Sequence, residues 1–73
     1  MTFEEKVKFL RTLPQFKVVS VSEVRAIAFI AKEREQNPDD VLLGRIDSSA
    51  LFLSRVDVGK ITRVYPDLKF NLD

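Results

Sequence analysis

At 73 residues, 45% hydrophobic and 32% charged, with a formal net charge of +1, the chain fits one small domain over residues 1–73, with enough apolar material for a core. Having neither His nor Cys, it offers no Ser-His-Asp triad, no usual structural zinc site and no disulfide. The longest apolar run, Ala26 to Ala31, is far too short to span a bilayer, and Glu4 and Glu5 stand where a signal peptide carries basic residues. A soluble, intracellular chain is expected, cytoplasmic and without membrane association.

In chain order, the first predicted element is a helix over TFEEKVKFLRTL. Thr2 and Glu5 have the T-x-x-E spacing of a capping box, in which each side chain satisfies a backbone N–H at the helix start. Phe3, Val7 and Leu10 share one face, with Leu13 beside it. Pro14 disfavours helical geometry at the preceding residue, so the helix ends near Leu13. A second helix opens at Ser20, with Glu23 completing another capping box and Val19 and Val24 at the staple positions. Val24, Ile27, Ala28, Ile30 and Ala31 form a broad apolar face, while Arg25, Lys32, Glu33 and Gln36 lie opposite, and Phe29 with them. The NPDD stretch, Asn37 to Asp40, reads as the turn that follows.

Beyond that turn the pattern supports two descriptions. VLLGRI, ALFLSRV and GKITRVY are short and rich in β-branched and aromatic residues, which suits strands. Alternatively, Asp47 caps a helix through Ser54 and Asp57 caps another from Val58 to Tyr65, stopped by Pro66. Strand alternation through KITRVY is imperfect, because Arg63 falls on the face of Ile61 and Tyr65. LKFNL reads as a last short strand or an arm. The expected fold class is α+β: two N-terminal helices followed by a small antiparallel sheet of two or three short strands. The alternative is a mostly α chain, a helix-turn-helix with a minimal wing.

The order of features from Phe9 to Glu35 resembles the opening of a cyclic nucleotide-binding domain of the catabolite-activator kind. The residues that carry the likeness are Leu13, Pro14, Phe16, Ser20, Glu23, Val24, Ile27, Ala28 and Arg34. Further on, Pro38, Asp40, Val41 and Leu43 are similar to the first strand of that family's β-roll. Asp47 with ALFL, and Gly59 with ITRVY, are similar to the next two. Asp39 and Ile46 stand where the family has Gly. The family grips its ligand phosphate with a later cassette of a helix N-terminus, a Gly-Glu pair and an Arg, the polarised N–H groups and cation that an anion requires. No such segment occurs before Asp73. The resemblance therefore implies a domain truncated before its phosphate cassette, and neither a cyclic nucleotide nor any other small ligand or cofactor is expected.

DVGKIT has a Gly-Lys pair without the earlier Gly of a phosphate loop, and the Asp residues do not follow a calcium-loop pattern. A non-catalytic regulatory or protein-interaction module is the expected function, docking on a protein partner or on itself as an oligomer. Phe29, with Arg25 and Lys32 flanking it, has the make-up of an interface anchor. Ahead of that reading stands one in which the first helix covers Phe29, with Phe3 or Phe9 beside it. An uncovered strand edge after Val41 is a second docking candidate, and Phe52 is core if its segment is a strand. The alternative function is a small DNA-binding regulator of transcription, with Lys60 and Arg63 on phosphates and Thr62 or Arg63 at base edges.

Overall fold

The computed structural model describes residues 1–33 and 39–70. Its elements are α1 (Phe3–Thr12), α2 (Val21–Ile30), β1 (Lys32–Glu33), β2 (Asp40–Ile46), β3 (Ser49–Ser54) and α3 (Arg55–Val64). A 3₁₀ turn at Pro14–Phe16 links the first two helices. The strands form one antiparallel sheet in the order β1-β3-β2, so the chain is α+β.

Both N-terminal helices start as their capping boxes dictate. Thr2 Oγ1 accepts from the Glu5 N–H at 3.2 Å while Glu5 Oε1 accepts from the Thr2 N–H at 3.2 Å. Ser20 Oγ and Glu23 Oε2 repeat the exchange at 3.3 and 3.2 Å. Each reciprocal pair satisfies backbone donors that a helix start leaves without partners. α1 ends at Thr12, with Leu13 extended (ψ 133°) ahead of Pro14. α2 ends sooner than its sequence pattern suggests. Ala31 turns extended (ψ 135°), and Lys32 and Glu33, expected on the helix, pair instead with Phe52 and Leu51 of β3. Lys6 Nζ donates to the Ala31 carbonyl at 2.9 Å, placing a cation from α1 at the C-terminal end of α2, where the helix dipole favours it.

The stretch from 47 to 65 combines parts of both expected descriptions. Asp47 and Ser48 form a two-residue turn between β2 and β3, and Asp47 has φ 53°, a left-handed conformation that Asp tolerates better than most residues. The helix expected from Asp47 to Ser54 is therefore replaced by a turn and a strand. GKITRVY, expected as a strand, belongs to α3 instead. Ser54 rather than Asp57 is the cap: its Oγ accepts from the Asp57 N–H at 3.1 Å, which starts the helix three residues before Val58. From that start Val58 and Ile61 both enter the core, a burial that the mixed strand pattern would not give. The tail after Pro66 is neither strand nor wing through Phe70. Leu68 is buried, and the Phe70 ring meets Phe16 edge-on at 6.1 Å. Asn37 and Pro38 of the expected turn, Asn71 and Leu72 of the expected arm, and Arg34 and Gln36 lie outside the described residues.

One apolar cluster joins all layers: Leu10 of α1, Phe16, Val24 and Ile27 of α2, Leu51 and Leu53 of β3, and Val58 and Ile61 of α3. β3 is the central strand and is buried on both faces, with Ala50 and Phe52 alternating with Leu51 and Leu53. Phe52 is thus core, as its strand assignment requires. β2 carries a bulge. Leu42 pairs with Phe52 and Gly44 with Leu51, leaving Leu43 as the extra residue. The bulge turns Leu43 inward and brings Gly44 against α1. A Cβ built on Gly44 would lie 2.8 Å from Phe9 Cζ and 3.1 Å from a Leu13 methyl. Only a glycine lets helix and strand approach so closely.

Candidate functional site

The exposed side of α2 is built by helix periodicity. Val24, Ile27 and Ala28 face the core, which leaves Ser22, Arg25, Ala26 and Phe29 at i, i+3, i+4 and i+7 on the outside. Phe29 is 77% exposed. The possibility that α1 folds across it is overturned. α1 buries Leu10 in the core and reaches Arg25 through Glu4 and Phe3, but it leaves the Phe29 ring uncovered.

Arg25 is not a free cation beside that ring. Its Nη1 lies 3.1 Å from Glu4 Oε1, and its guanidinium carbon sits 5.0 Å from the centre of the Phe3 ring. Both partners are on α1, so Arg25 braces the helix pair while remaining half-exposed. Lys32 is exposed, but it stands on β1 in register with Phe52 and not on the helical stripe of Phe29. The structure therefore keeps Phe29 and Arg25 on one helical face and moves Lys32 off it.

The edge after Val41 is present, since β2 is an outer strand, yet its middle is interrupted. The Leu43 bulge breaks the ladder there, and Gln15 Nε2 donates to the Leu43 carbonyl at 3.3 Å. Bulges and side-chain covers of this kind are how sheets blunt an edge against pairing with another chain.

For the DNA alternative, Lys60 and Arg63 are both exposed on α3. Thr62 is half-buried, and its hydroxyl donates within the helix, 2.9 Å from the Val58 carbonyl and 3.2 Å from that of Gly59. Its donor is therefore not presented to a base edge. The segment before α3 is strand β3, so residues 47–65 do not form a helix-turn-helix.

Four further valines, Val18, Val21, Val56 and Val64, are exposed without belonging to any candidate site in the sequence. Val56 was legible as the residue opposite Val58 and Ile61 once α3 is placed. Val18 and Val64 come together only in the fold, where with Val19, Glu23, Tyr65 and Leu68 they line a shallow groove of about 230 Å³.

Among the described residues, no three carboxylates gather where a metal ion could sit, and no helix is long and apolar enough to cross a membrane. Two carboxylates have shifted affinities for protons. Hydrogen bonds from Thr2 hold Glu5 below its ordinary pKa of 4.5. The Met1 amino group, 2.8 Å from Glu33, likewise lowers Glu33 and is itself raised by that carboxylate. Both carboxylates act at element ends, and Glu5 also lines an open depression of about 340 Å³ with Lys8, Phe9, Thr12 and Ile46. The chain matches no family model, and comparison with curated proteins and with solved structures finds no similar protein.

Proposed function

We propose that this chain is a non-catalytic regulatory or interaction module that docks on a protein partner, or on a second copy of itself, through the outer face of α2. Phe29 is the anchor, Arg25 lines the same face, and Lys32 stands just beyond the helix end. The observation that carries the reading is the 77% exposure of the Phe29 ring in the middle of an otherwise well-filled fold. Burying such a ring contributes roughly 1.5–3 kcal/mol, more than any other exposed side chain on α2 can supply. Ser22 and Ala26 are small, which lets a partner surface come close beside it. Arg25, already braced by Glu4 and Phe3, loses little freedom on docking, so its contribution is pre-organised.

The likeness to cyclic nucleotide-binding domains enters this proposal only as a regulatory setting. Replacing Phe29 by Ser tests the docking reading. Sedimentation across a concentration series and partner capture are expected to show association weakened about tenfold or more, a loss of about 1.4 kcal/mol. The melting temperature is expected to stay close to that of the parent. Unchanged association, or a large drop in melting temperature, would refute the proposal.

A further inference from the structure

The outer face of α3 holds a residue that the fold itself does not require. Gly59 sits in the interior of the helix, is exposed, and has an ordinary helical φ. A Cβ added there meets no atom within 4 Å. Glycine weakens a helix interior relative to alanine, and here neither backbone geometry nor internal packing calls for it. Its neighbours on the helix surface are Val56, Lys60 and Arg63, at i−3, i+1 and i+4, directly opposite Val58 and Ile61 in the core. Val56 is 67% exposed. Among the described residues, no carboxylate forms an ion pair with Lys60, Arg63 or Arg55. The face thus carries one exposed apolar side chain, Val56, beside an open glycine and two cations that have no ion pair among the described residues.

We infer that this face receives an acidic amphipathic helix from a protein partner. An apolar side chain of that helix seats over Gly59 against Val56 and the stem of Arg63, and its carboxylates meet Lys60 and Arg63. The missing Cβ gives the close backbone approach that such seating needs, and the charge on the face selects the sign of the partner. Duplex DNA would satisfy the cations but leave Val56 against a polar backbone, and the Thr62 hydroxyl is already spent inside the helix. An anionic bilayer calls for a broad apolar face, whereas this one presents Val56 at its centre and Val64 at its margin. The surface is distinct from the Phe29 face of α2, so either can fail without the other.

The experiment uses the full chain and a labelled amphipathic helical peptide of Leu, Ala and Glu, with a peptide in which Lys replaces Glu as the control. Saturable binding of the acidic peptide alone is expected, weakening as salt is raised. Gly59→Ala is expected to move stability and binding in opposite directions. Its melting temperature rises by about 4–8 °C, and peptide affinity falls about tenfold because the new methyl stands where the partner's side chain would seat. A Lys60→Glu, Arg63→Glu double variant, changed only at exposed positions, transfers the preference to the Lys peptide. The inference is overturned if the acidic peptide does not bind or if Gly59→Ala binds it as tightly as the parent. It is equally overturned if a DNA duplex or phosphatidylserine vesicles bind the parent more tightly than the peptide does.

Discussion

Replacing Gly44 by Ala tests whether the approach of α1 to the β2 bulge is as close as the packing demands. The added Cβ would lie 2.8 Å from Phe9 Cζ and 3.1 and 3.2 Å from the two Leu13 methyls. Carbon atoms in good contact are roughly 3.5–4.0 Å apart, so the Phe9 ring must retreat by about 0.7 Å or more. Phe9 is buried on a helix whose other core residues, Val7 and Leu10, are also fixed, so the ring cannot swing away as a flexible chain end would. Overpacking of this kind costs about 1–3 kcal/mol. The alanine recovers about 0.4–1 kcal/mol by restricting the unfolded chain. The net expectation is a loss of between about 0 and 2.6 kcal/mol, centred near 1.3, with about 4–8 °C in melting temperature for each kcal/mol in a domain of this size. Urea titration followed by far-ultraviolet circular dichroism measures it. A second chain with Phe9→Leu, and a third with both changes, complete the cycle. The smaller side chain makes room for the methyl, so the double variant is expected to be more stable than the sum of the single changes by about 0.5 kcal/mol or more. A Gly44→Ala chain more stable than its parent, or strictly additive changes, would refute the close approach.

Two further outcomes follow from local geometry. Asp47→Gly removes the cost of a left-handed L-residue but loosens the unfolded chain, so a net gain of about 0.5 kcal/mol is expected, while Asp47→Ala is expected to lose stability. An Ala variant with the parent's urea midpoint would contradict the turn conformation. Folding lowers the pKa of Glu5 through its hydrogen bonds with Thr2, so its contribution is fully present above the ordinary value of 4.5 and is lost as pH falls through the lowered value. Glu33 shifts in the same direction through the Met1 amino group. Glu5→Gln is therefore expected to flatten the fall in melting temperature between about pH 5 and pH 3, with the Glu33 part persisting; an unchanged slope would count against the capping carboxylate.

The helix starts were legible because a capping box is a local device. Thr2 with Glu5 and Ser20 with Glu23 need only residues three apart, and the same 3.6 periodicity put Phe29 on the outer side of α2. The ends were less legible. Nothing local stops α2 at Ile30. Lys32 and Glu33 leave the helix because β3, almost twenty positions later, offers them a ladder. The misreading of GKITRVY has a similar cause. Ile61, Thr62 and Val64 are β-branched and suit a strand in isolation, but a cap at Ser54 and the burial of Val58 and Ile61 favour the helix. The bulge at Leu43 was beyond reach of any pattern, since it depends on Phe9 and Leu13 lying against Gly44. On the outer face of α2 helix periodicity placed Phe29 outward, as the structure has it. Periodicity could not show that Arg25 is bound to Glu4 or that Lys32 stands on another element.

The central place of β3 governs how the molecule is born. A ribosome delivers both N-terminal helices before Leu51 and Leu53 exist, so Leu10 and Ile27 wait without their lid while some twenty more residues are made. β1 waits as well, because its two residues have nothing to zip onto until the hairpin behind them closes. The nascent chain thus carries a half-covered helix pair from Ile30 onward, and the interval ends only when β3, the fifth element, has been made.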